Sequence, residues 1–185
     1  DPGIQRLVRN VYQRGGVIGA VCHGPAALLD VVLDDGTPLL RGRRVAAFSN
    51  AEELFLIEDA RSRFPYLLQD RILQKGGHYV EGPMYLDNTV VDGRIVTGQN
   101  PWSTWSTAEA MVRALGHVPV ARAPGRDEQA VQVMAAYYRH GIATAREARA
   151  ALPEADKRLL LMHALVAAMQ GRAGDAWHLQ ALALG

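Results

Sequence analysis

The chain contains 185 residues, and its 20 Lys and Arg residues nearly balance its 19 Asp and Glu residues, for a formal net charge of +1. This balance, without a long basic run, argues against a nucleic-acid-binding protein. The apolar segments are too short and too often interrupted to form a membrane-spanning helix. The single cysteine, Cys22, excludes an internal disulfide and favours a reducing compartment, so we predict a cytoplasmic location.

The first half of the chain predicts helices that alternate with strands. Short apolar runs bounded by turn residues are typical of buried strands, and 3.6-residue periodicity is typical of helices. In chain order, the pattern predicts a helix before Gly15, a strand at residues 17–21, a helix at 26–33, a strand at 44–48, a helix opening at Ser49 and an amphipathic helix at 65–75.

A β-hairpin is predicted over residues 89–97, where Asp92-Gly93 separates two β-branched runs. Ser106 and Glu109 have the spacing of a capping box and predict a helix that runs to about Leu115. Strands that alternate with helices imply an α/β fold with a mostly parallel sheet.

The composition changes near Val118. Residues 121–185 contain 18 alanines and no β-branched run, which predicts three or four helical segments, including one that Thr144 caps and one that Pro153 begins. We therefore predict an α/β domain at residues 1–117 and an Ala-rich helical appendage at residues 118–185. Packing or self-association is the expected role of the appendage, because it carries no ligand-binding motif.

Cys22 occupies the most informative position in the sequence, between a predicted buried strand and a predicted helix. A thiol on such a turn lies at the carboxyl edge of the sheet, where a helix N-terminus favours the thiolate and can stabilise an oxyanion. Gly19 and Gly24 are expected to allow close approach of backbone or substrate. The alternative is a buried and inert cysteine, which is the commonest state of a lone cysteine.

Several segments of the chain resemble the ThiJ/PfpI superfamily, which has a class I glutamine-amidotransferase-like fold. They include Cys22-His23-Gly24-Pro25, Phe48-Ser49-Asn50-Ala51-Glu52-Glu53 and Gly98-Gln99-Asn100-Pro101-Trp102-Ser103. The resemblance covers roughly residues 1–116 and is strongest to the subfamily of heat-shock chaperones and cofactor-free glyoxalases (glyoxalase III). It implies a flavodoxin-like α/β domain, here the C-terminal half of the family domain.

The resemblance also implies roles for individual residues. Cys22 would be the nucleophile, His23 the general acid and base, and Glu53 the carboxylate that orients the imidazole. Glu52 remains an alternative to Glu53, because Ser49 with Glu52 and Asn50 with Glu53 both have capping-box spacing. The implied reaction converts methylglyoxal, a small aldehyde, to D-lactate without a cofactor or a metal.

The family's N-terminal half is not represented in this sequence, and with it the early strands and a Gly-rich oxyanion segment. We therefore expect about 100 further residues in the gene product, by analogy with the family. The alternatives are a cleaved but associated fragment and a segment supplied by another chain. The resemblance also implies a homodimer, since family members usually dimerise.

Two other functions remain open at this stage. One is a peptidase or deglycase that uses the same Cys22–His23 pair on a different bond. The other is a non-enzymatic chaperone or interaction subunit, in which the helical appendage makes the contacts. The spacing of the histidines does not predict a metal site.

Overall fold

The computed structural model describes all residues, Asp1–Gly185, and the chain divides into two compact units, Asp1–Val120 and Ala121–Gly185. The strands are β1 (Ile18–Val21), β2 (Arg44–Val45), β3 (His78–Tyr79), β4 (Thr89–Asp92) and β5 (Ile95–Gly98). The helices are α1 (Pro2–Gln13), α2 (Asn50–Leu56), α3 (Ala60–Arg63), α4 (Leu68–Gln74), α5 (Thr104–Ala114), α6 (Arg126–His140), α7 (Ile142–Ala151), α8 (Lys157–Met169) and α9 (Ala173–Leu184). None of these helices combines the length and apolarity needed to cross a bilayer.

The first unit contains a small mixed sheet in the order β1-β5-β4. Strand β1 runs parallel to β5, with Ile18 opposite Ile95 and Val21 opposite Gly98. Strands β4 and β5 form the predicted antiparallel hairpin, with Asp92 opposite Ile95 across the turn. The parallel pair requires the long connection that carries the helices, and this confirms the predicted α/β fold with one hairpin.

Strand β2 was predicted over residues 44–48, but its regular pairing, parallel to β3, covers only Arg44–Val45. Beyond Val45 the backbone bonds to other partners. The Ala46 N–H donates to Thr97 Oγ1 at 2.9 Å, and the Phe48 N–H donates to the carbonyl of Cys22 at 2.9 Å. These bonds hold the chain that leads into α2 beside the end of β1.

A continuous apolar core explains why these elements pack together. It takes residues from α1, α4, the strands and the loop that follows Cys22, and burying such side chains is the main driving force for folding. Its most buried members are Leu28, Val31, Leu40, Val45, Ala47, Ile72 and Ile95.

The prediction of a helix over residues 26–33 is wrong. The structure has a short 3₁₀ helix at Gly24–Leu28, with Pro25 in its first turn, and the chain then turns toward an isolated bridge between Val32 and Pro38. Local bonds such as Val31 N–H to the Leu28 carbonyl replace the α-helical pattern. A 3₁₀ helix this short has little macrodipole, so the predicted electrostatic effect of a helix N-terminus on Cys22 is not supported.

Two other helix starts differ from the prediction. Helix α5 begins at Thr104, directly after a 3₁₀ turn at Pro101–Ser103, so Ser106 lies inside it and bonds to Asp87 at 2.6 Å instead of capping. The amphipathic helix predicted at 65–75 begins only at Leu68, because the chain before it is extended.

The second unit is the helical part of the chain, in which α6 packs with α7 and α8 packs with α9. Thr144 and Pro153 do not start helices as predicted. Helix α7 begins at Ile142 directly after Gly141, whose φ of +84° suits glycine, and Asp156 caps α8 by accepting from the Arg158 and Leu159 N–H groups. The core of the second unit includes Ala130, Val133, Met134, Leu160, Ala167 and Leu179.

Candidate active site

Cys22 lies directly after β1 in a backbone conformation that is rare for a residue with a side chain. Its φ is +62°, and its N–H and carbonyl are both bonded, to the Gly98 carbonyl and the Phe48 N–H, each at 2.9 Å. A left-handed conformation of this kind costs on the order of 1–3 kcal/mol and persists only where surrounding structure holds it. The half-buried thiol therefore stands on a fixed, strained turn at the carboxyl edge of the sheet.

His23 links the thiol to a carboxylate. Its Nδ1 lies 3.3 Å from Cys22 Sγ, and its Nε2 lies 2.7 Å from Glu53 Oε2. The Phe48 ring packs against the imidazole with ring centroids 4.7 Å apart. The structure thus brings Cys22, His23 and Glu53 together in one hydrogen-bonded chain.

The hydrogen bonds define the proton positions on the imidazole. A carboxylate only accepts, so Nε2 donates to Glu53 and Nδ1 is the atom that faces the sulfur. The hydrogen bond to Cys22 raises the pKa of His23 to about 9, with a further contribution from Glu53 and some opposition from burial. At neutral pH the imidazole is therefore held as the cation, which is the state that stabilises a neighbouring thiolate.

Glu52, the alternative to Glu53, has a different role. It is fully buried, and it completes a capping box with Ser49 at the start of α2. Its carboxylate also accepts from the Tyr85 N–H and the Asn100 amide, each at 2.8 Å. Successive residues of a helix point about 100° apart, so Glu53 faces His23 while Glu52 faces the interior.

The loop after β5 contacts Glu52, the buried neighbour of Glu53. Asn100 bonds Glu52, and its side chain also accepts from the Trp102 N–H. Gln99 is buried and donates to Glu52 at 3.1 Å, a contact that sequence reasoning missed. Sequence reasoning also missed the contact of Tyr85 with Glu52. No sequence pattern marks Tyr85, whose backbone has an uncommon φ of +55° in the structure.

A cavity of about 200 Å³ adjoins the imidazole. The lining residues are His23, Ala26, Glu53, Phe64, Pro65, Tyr66 and Leu68. Sequence reasoning missed Phe64 and Tyr66, because neither lies in a motif and the loop that carries them reaches the site only through tertiary packing. The cavity gives the site an apolar wall beside the proton-transfer group.

A cysteine on a strained strand end, followed by a histidine that hydrogen-bonds a carboxylate, on a partly parallel α/β sheet, is the arrangement that the ThiJ/PfpI resemblance predicts. The comparisons with known proteins confirm the predicted resemblance. The chain is 38% identical over 117 residues to glyoxalase 3 of Candida albicans, a match that covers 60% of this chain and 49% of that protein. It is 39% identical over 116 residues to a glutathione-independent glyoxalase of Schizosaccharomyces pombe, covering 60% of this chain and 48% of the relative.

The similarity extends to solved structures. The crystal structure of glyoxalase III from Candida albicans matches with a TM-score of 0.56 and 34% identity, over 60% of this chain and 48% of that one. The chain spans about half the length of the curated relatives it matches. No protein-family model matches the chain.

Proposed function

We propose that this chain carries the catalytic centre of a glutathione-independent glyoxalase that converts methylglyoxal, or a similar small 2-oxoaldehyde, to the corresponding 2-hydroxy acid. The observation that carries the proposal is the chain of contacts from Cys22 Sγ through His23 to Glu53. The names of its relatives in two yeasts support the reaction class.

In the first step, the Cys22 thiolate attacks the aldehyde carbon and forms a carbon–sulfur bond. The aldehyde oxygen takes up the electron pair and then the proton from His23 Nδ1, which gives a hemithioacetal. Cys22 and Glu53 raise the pKa of His23, so the imidazole holds this proton at neutral pH. Glu53 does not touch the substrate in this scheme; it is a positioning residue that keeps Nδ1 facing the sulfur.

In the second step, the now neutral His23 removes the hydrogen from the former aldehyde carbon and returns it to the adjacent carbon, while the hydroxyl proton of the hemithioacetal passes to the former ketone oxygen. The former aldehyde carbon is oxidised to a thioester and the ketone carbon is reduced to an alcohol, so no external oxidant is needed. Water then cleaves the thioester, which releases the hydroxy acid and regenerates the thiol. The sum is addition of one water molecule to the oxoaldehyde.

The proposal includes partners and location. The substrate is a small aldehyde, and the active form is a homodimer in a reducing compartment such as the cytoplasm, where Cys22 stays a thiol. Because the relatives are about twice as long as the matching segment, the proposal also includes a polypeptide equivalent to their other half, attached to this chain or associated with it.

The test is lactate formation from methylglyoxal without glutathione, using the purified chain together with any polypeptide that co-purifies. We expect turnover that Cys22→Ser abolishes and that His23→Gln lowers by about 100-fold or more. A Ser103→Ala variant is a control for loss of a buried hydroxyl away from the thiol. Turnover that survives in Cys22→Ser would contradict the proposal.

The same samples distinguish the hydrolase alternative. A peptidase or deglycase using Cys22 would release an amine or an amino acid and would form no lactate. If Cys22 is alkylated rapidly at neutral pH but neither lactate nor an amine is formed, the chain has a reactive thiol without either activity. This result would favour a chaperone or interaction subunit and would reject the glyoxalase proposal.

A further inference from the structure

The helices α8 and α9 expose a large apolar face in the second unit. Its large side chains are between 36% and 70% exposed, and they are Leu161, Met162, Leu165 and Met169 on α8 and Trp177 and Leu184 on α9. Residues at spacings of four and seven lie on one side of a helix. On each of the two packed helices these side chains therefore share one side and are not a scatter of single residues.

This strip is additional to the core that α8 and α9 already form. The opposite side of α8 is buried through Leu160, Ala164 and Ala167, and that of α9 through Leu179 and Leu182. A helix that is apolar on both sides is characteristic of one that is covered on both sides. The outer strip thus indicates a partner surface.

We propose that this face is a dimer interface with a second copy of the chain, with the two-fold axis passing close to Leu165 and Trp177. The inference rests on the second unit alone: it shares with the proposed function only the homodimer, and it needs no enzymatic activity. It specifies which surface forms a homodimer and how the two copies are oriented.

The position of the axis follows from the spacing of the apolar residues. Leu165 and Trp177 are each six residues from Gly171 in the turn between the helices, so they lie at the same height on the pair. Leu161 and Met169 are each four residues from Leu165. If α8 pairs antiparallel with α8 of the second copy, Leu165 meets its own counterpart and Leu161 meets Met169 of the partner subunit.

Charge favours a copy of the same chain over a charged partner. From Leu159 to Met169 on α8 and from Ala176 to Leu184 on α9 the chain carries no Asp, Glu, Lys or Arg. Arg172 and Asp175, near the turn between the helices, form an ion pair with each other at 2.7 Å, so the face offers little that would orient an oppositely charged protein. The exposed Lys157 and Arg158 at the start of α8 would lie near the end of α8 in the partner. The free carbonyl groups of a helix C-terminus attract cations, so antiparallel pairing is electrostatically favourable.

Size and shape agree with a dimer. The exposed part of these side chains amounts to on the order of 600 Å², at the upper end of the largest patch on a typical monomer and approaching the about 800 Å² per partner of a stable interface. Trp177, Gln180, Ala181 and Leu184 also surround a hollow of about 220 Å³. Such a hollow can receive a side chain from the opposing helix, as in knobs-into-holes packing.

The first test is the mass of the full chain by sedimentation, with Leu165→Glu and Trp177→Glu as variants. We expect a species of twice 20.1 kDa for the unchanged chain and a dimer weakened by at least about 100-fold in each variant, because burial of two carboxylates at the axis is unfavourable. Leu56→Glu is the matched control, since Leu56 is 62% exposed, Leu165 is 61% exposed, and Leu56 lies on α2. A monomeric chain, or a dimer that both variants leave intact, overturns the proposal.

The second test examines the axis with conservative substitutions that preserve the helices. In a Cys22→Ser background, Leu165→Cys should form an intermolecular disulfide on mild oxidation, because residues at a two-fold axis approach their own counterparts. Leu161→Cys alone should not cross-link, whereas Leu161→Cys combined with Met169→Cys should. Equal cross-linking of all three variants, or none in Leu165→Cys, rejects this axis. Lactate formation is not part of either readout, so failure here is distinct from failure of the glyoxalase proposal.

Discussion

Two adjacent glutamates show how the environment assigns different tasks to the same chemical group. Glu52 is fully buried and accepts hydrogen bonds from Ser49, Tyr85, Gln99 and Asn100. Glu53 reaches the edge of the site and accepts from His23. A buried carboxylate without a cation is tolerated only when its oxygens are well satisfied, so Glu52 has a structural role.

Exchange of each glutamate for glutamine should separate these roles. Glu52→Gln is expected to lower the free energy of unfolding by about 2–4 kcal/mol. The new NH₂ group can only donate, but it faces N–H and O–H groups from which the carboxylate accepted hydrogen bonds. Glu53→Gln is expected to lower turnover by about 100-fold with little change in stability. Urea titrations and lactate assays of both variants measure this, and equal effects on stability would contradict the assignment.

His23 is expected to make stability depend on pH. Its pKa is about 9 in the folded protein and about 6.5 without its partners, so the folded state binds the proton more tightly between these values. The stabilisation is therefore fully present below pH 6.5 and lost as the pH rises through about 9. Its size is reduced by solvent screening, because the His23 side chain is 55% exposed.

The dependence of stability on pH should be smaller in Cys22→Ser, since the hydrogen bond to Cys22 is the largest cause of the raised pKa of His23. We would follow the imidazole resonance of His23 by NMR, assigned with His23→Gln, and expect its midpoint to move toward 6.5 in Cys22→Ser. An unchanged midpoint would show that the thiol does not hold the proton on His23.

At the scale of elements, β1 positions the thiol because α5 packs closely against it. Gly19 is the point of contact, where an added Cβ would overlap the sulfur of Met111. The sequence predicted that Gly19 allows close approach of backbone or substrate, and the structure shows that it admits a side chain of α5. Gly19 therefore serves strand–helix packing.

Gly19→Ala should destabilise the first unit by about 1–3 kcal/mol, which is typical of overpacking in a core. Met111→Ala in the same chain should recover part of this loss, because it removes the overlapping atoms. Gly174→Ala is the control, since an added Cβ there meets nothing within 4 Å and alanine favours the helix by about 0.5–1 kcal/mol. Additive effects of the Gly19 and Met111 substitutions in a double-mutant cycle would exclude this contact as the cause.

At the scale of the whole molecule, the chain consists of an α/β unit with the candidate site and a helical unit with the apolar face. The segment at the end of the first unit includes Val118 and Val120, which are 89% and 90% exposed. No helix or strand includes residues 115–125. An exposed segment without regular structure is the kind of site where proteases cut first.

Limited digestion with thermolysin, which cleaves beside aliphatic residues, should therefore cut first near Val118 or Val120. We expect two resistant fragments, identified by mass, that correspond to the units on either side. First cleavage inside α6 or α5 would contradict this division, and so would a single resistant fragment of the whole chain. The α8–α9 variants above provide a separate test of the second unit.

The sequence by itself determined what local patterns and motifs can encode. The alternation of strands and helices and the Asp92-Gly93 hairpin were readable, because spacing along the chain carries this information. The family resemblance pointed to Cys22, His23 and a neighbouring glutamate, Glu53 or Glu52. The length of the helix after Cys22 was not readable, since Pro25 and the bonds that follow favoured a 3₁₀ turn over continued α-helix.

Only the tertiary structure decided which glutamate reaches His23, what surrounds the imidazole and which helix faces stay exposed. Either glutamate could complete a capping box, Ser49 with Glu52 or Asn50 with Glu53, until folding placed Tyr85 and Asn100 around Glu52. Likewise, apolar residues on α8 read as core in sequence, whichever side they occupy. The physical reason is that burial is a property of neighbours distant in the chain, which periodicity along one segment does not contain.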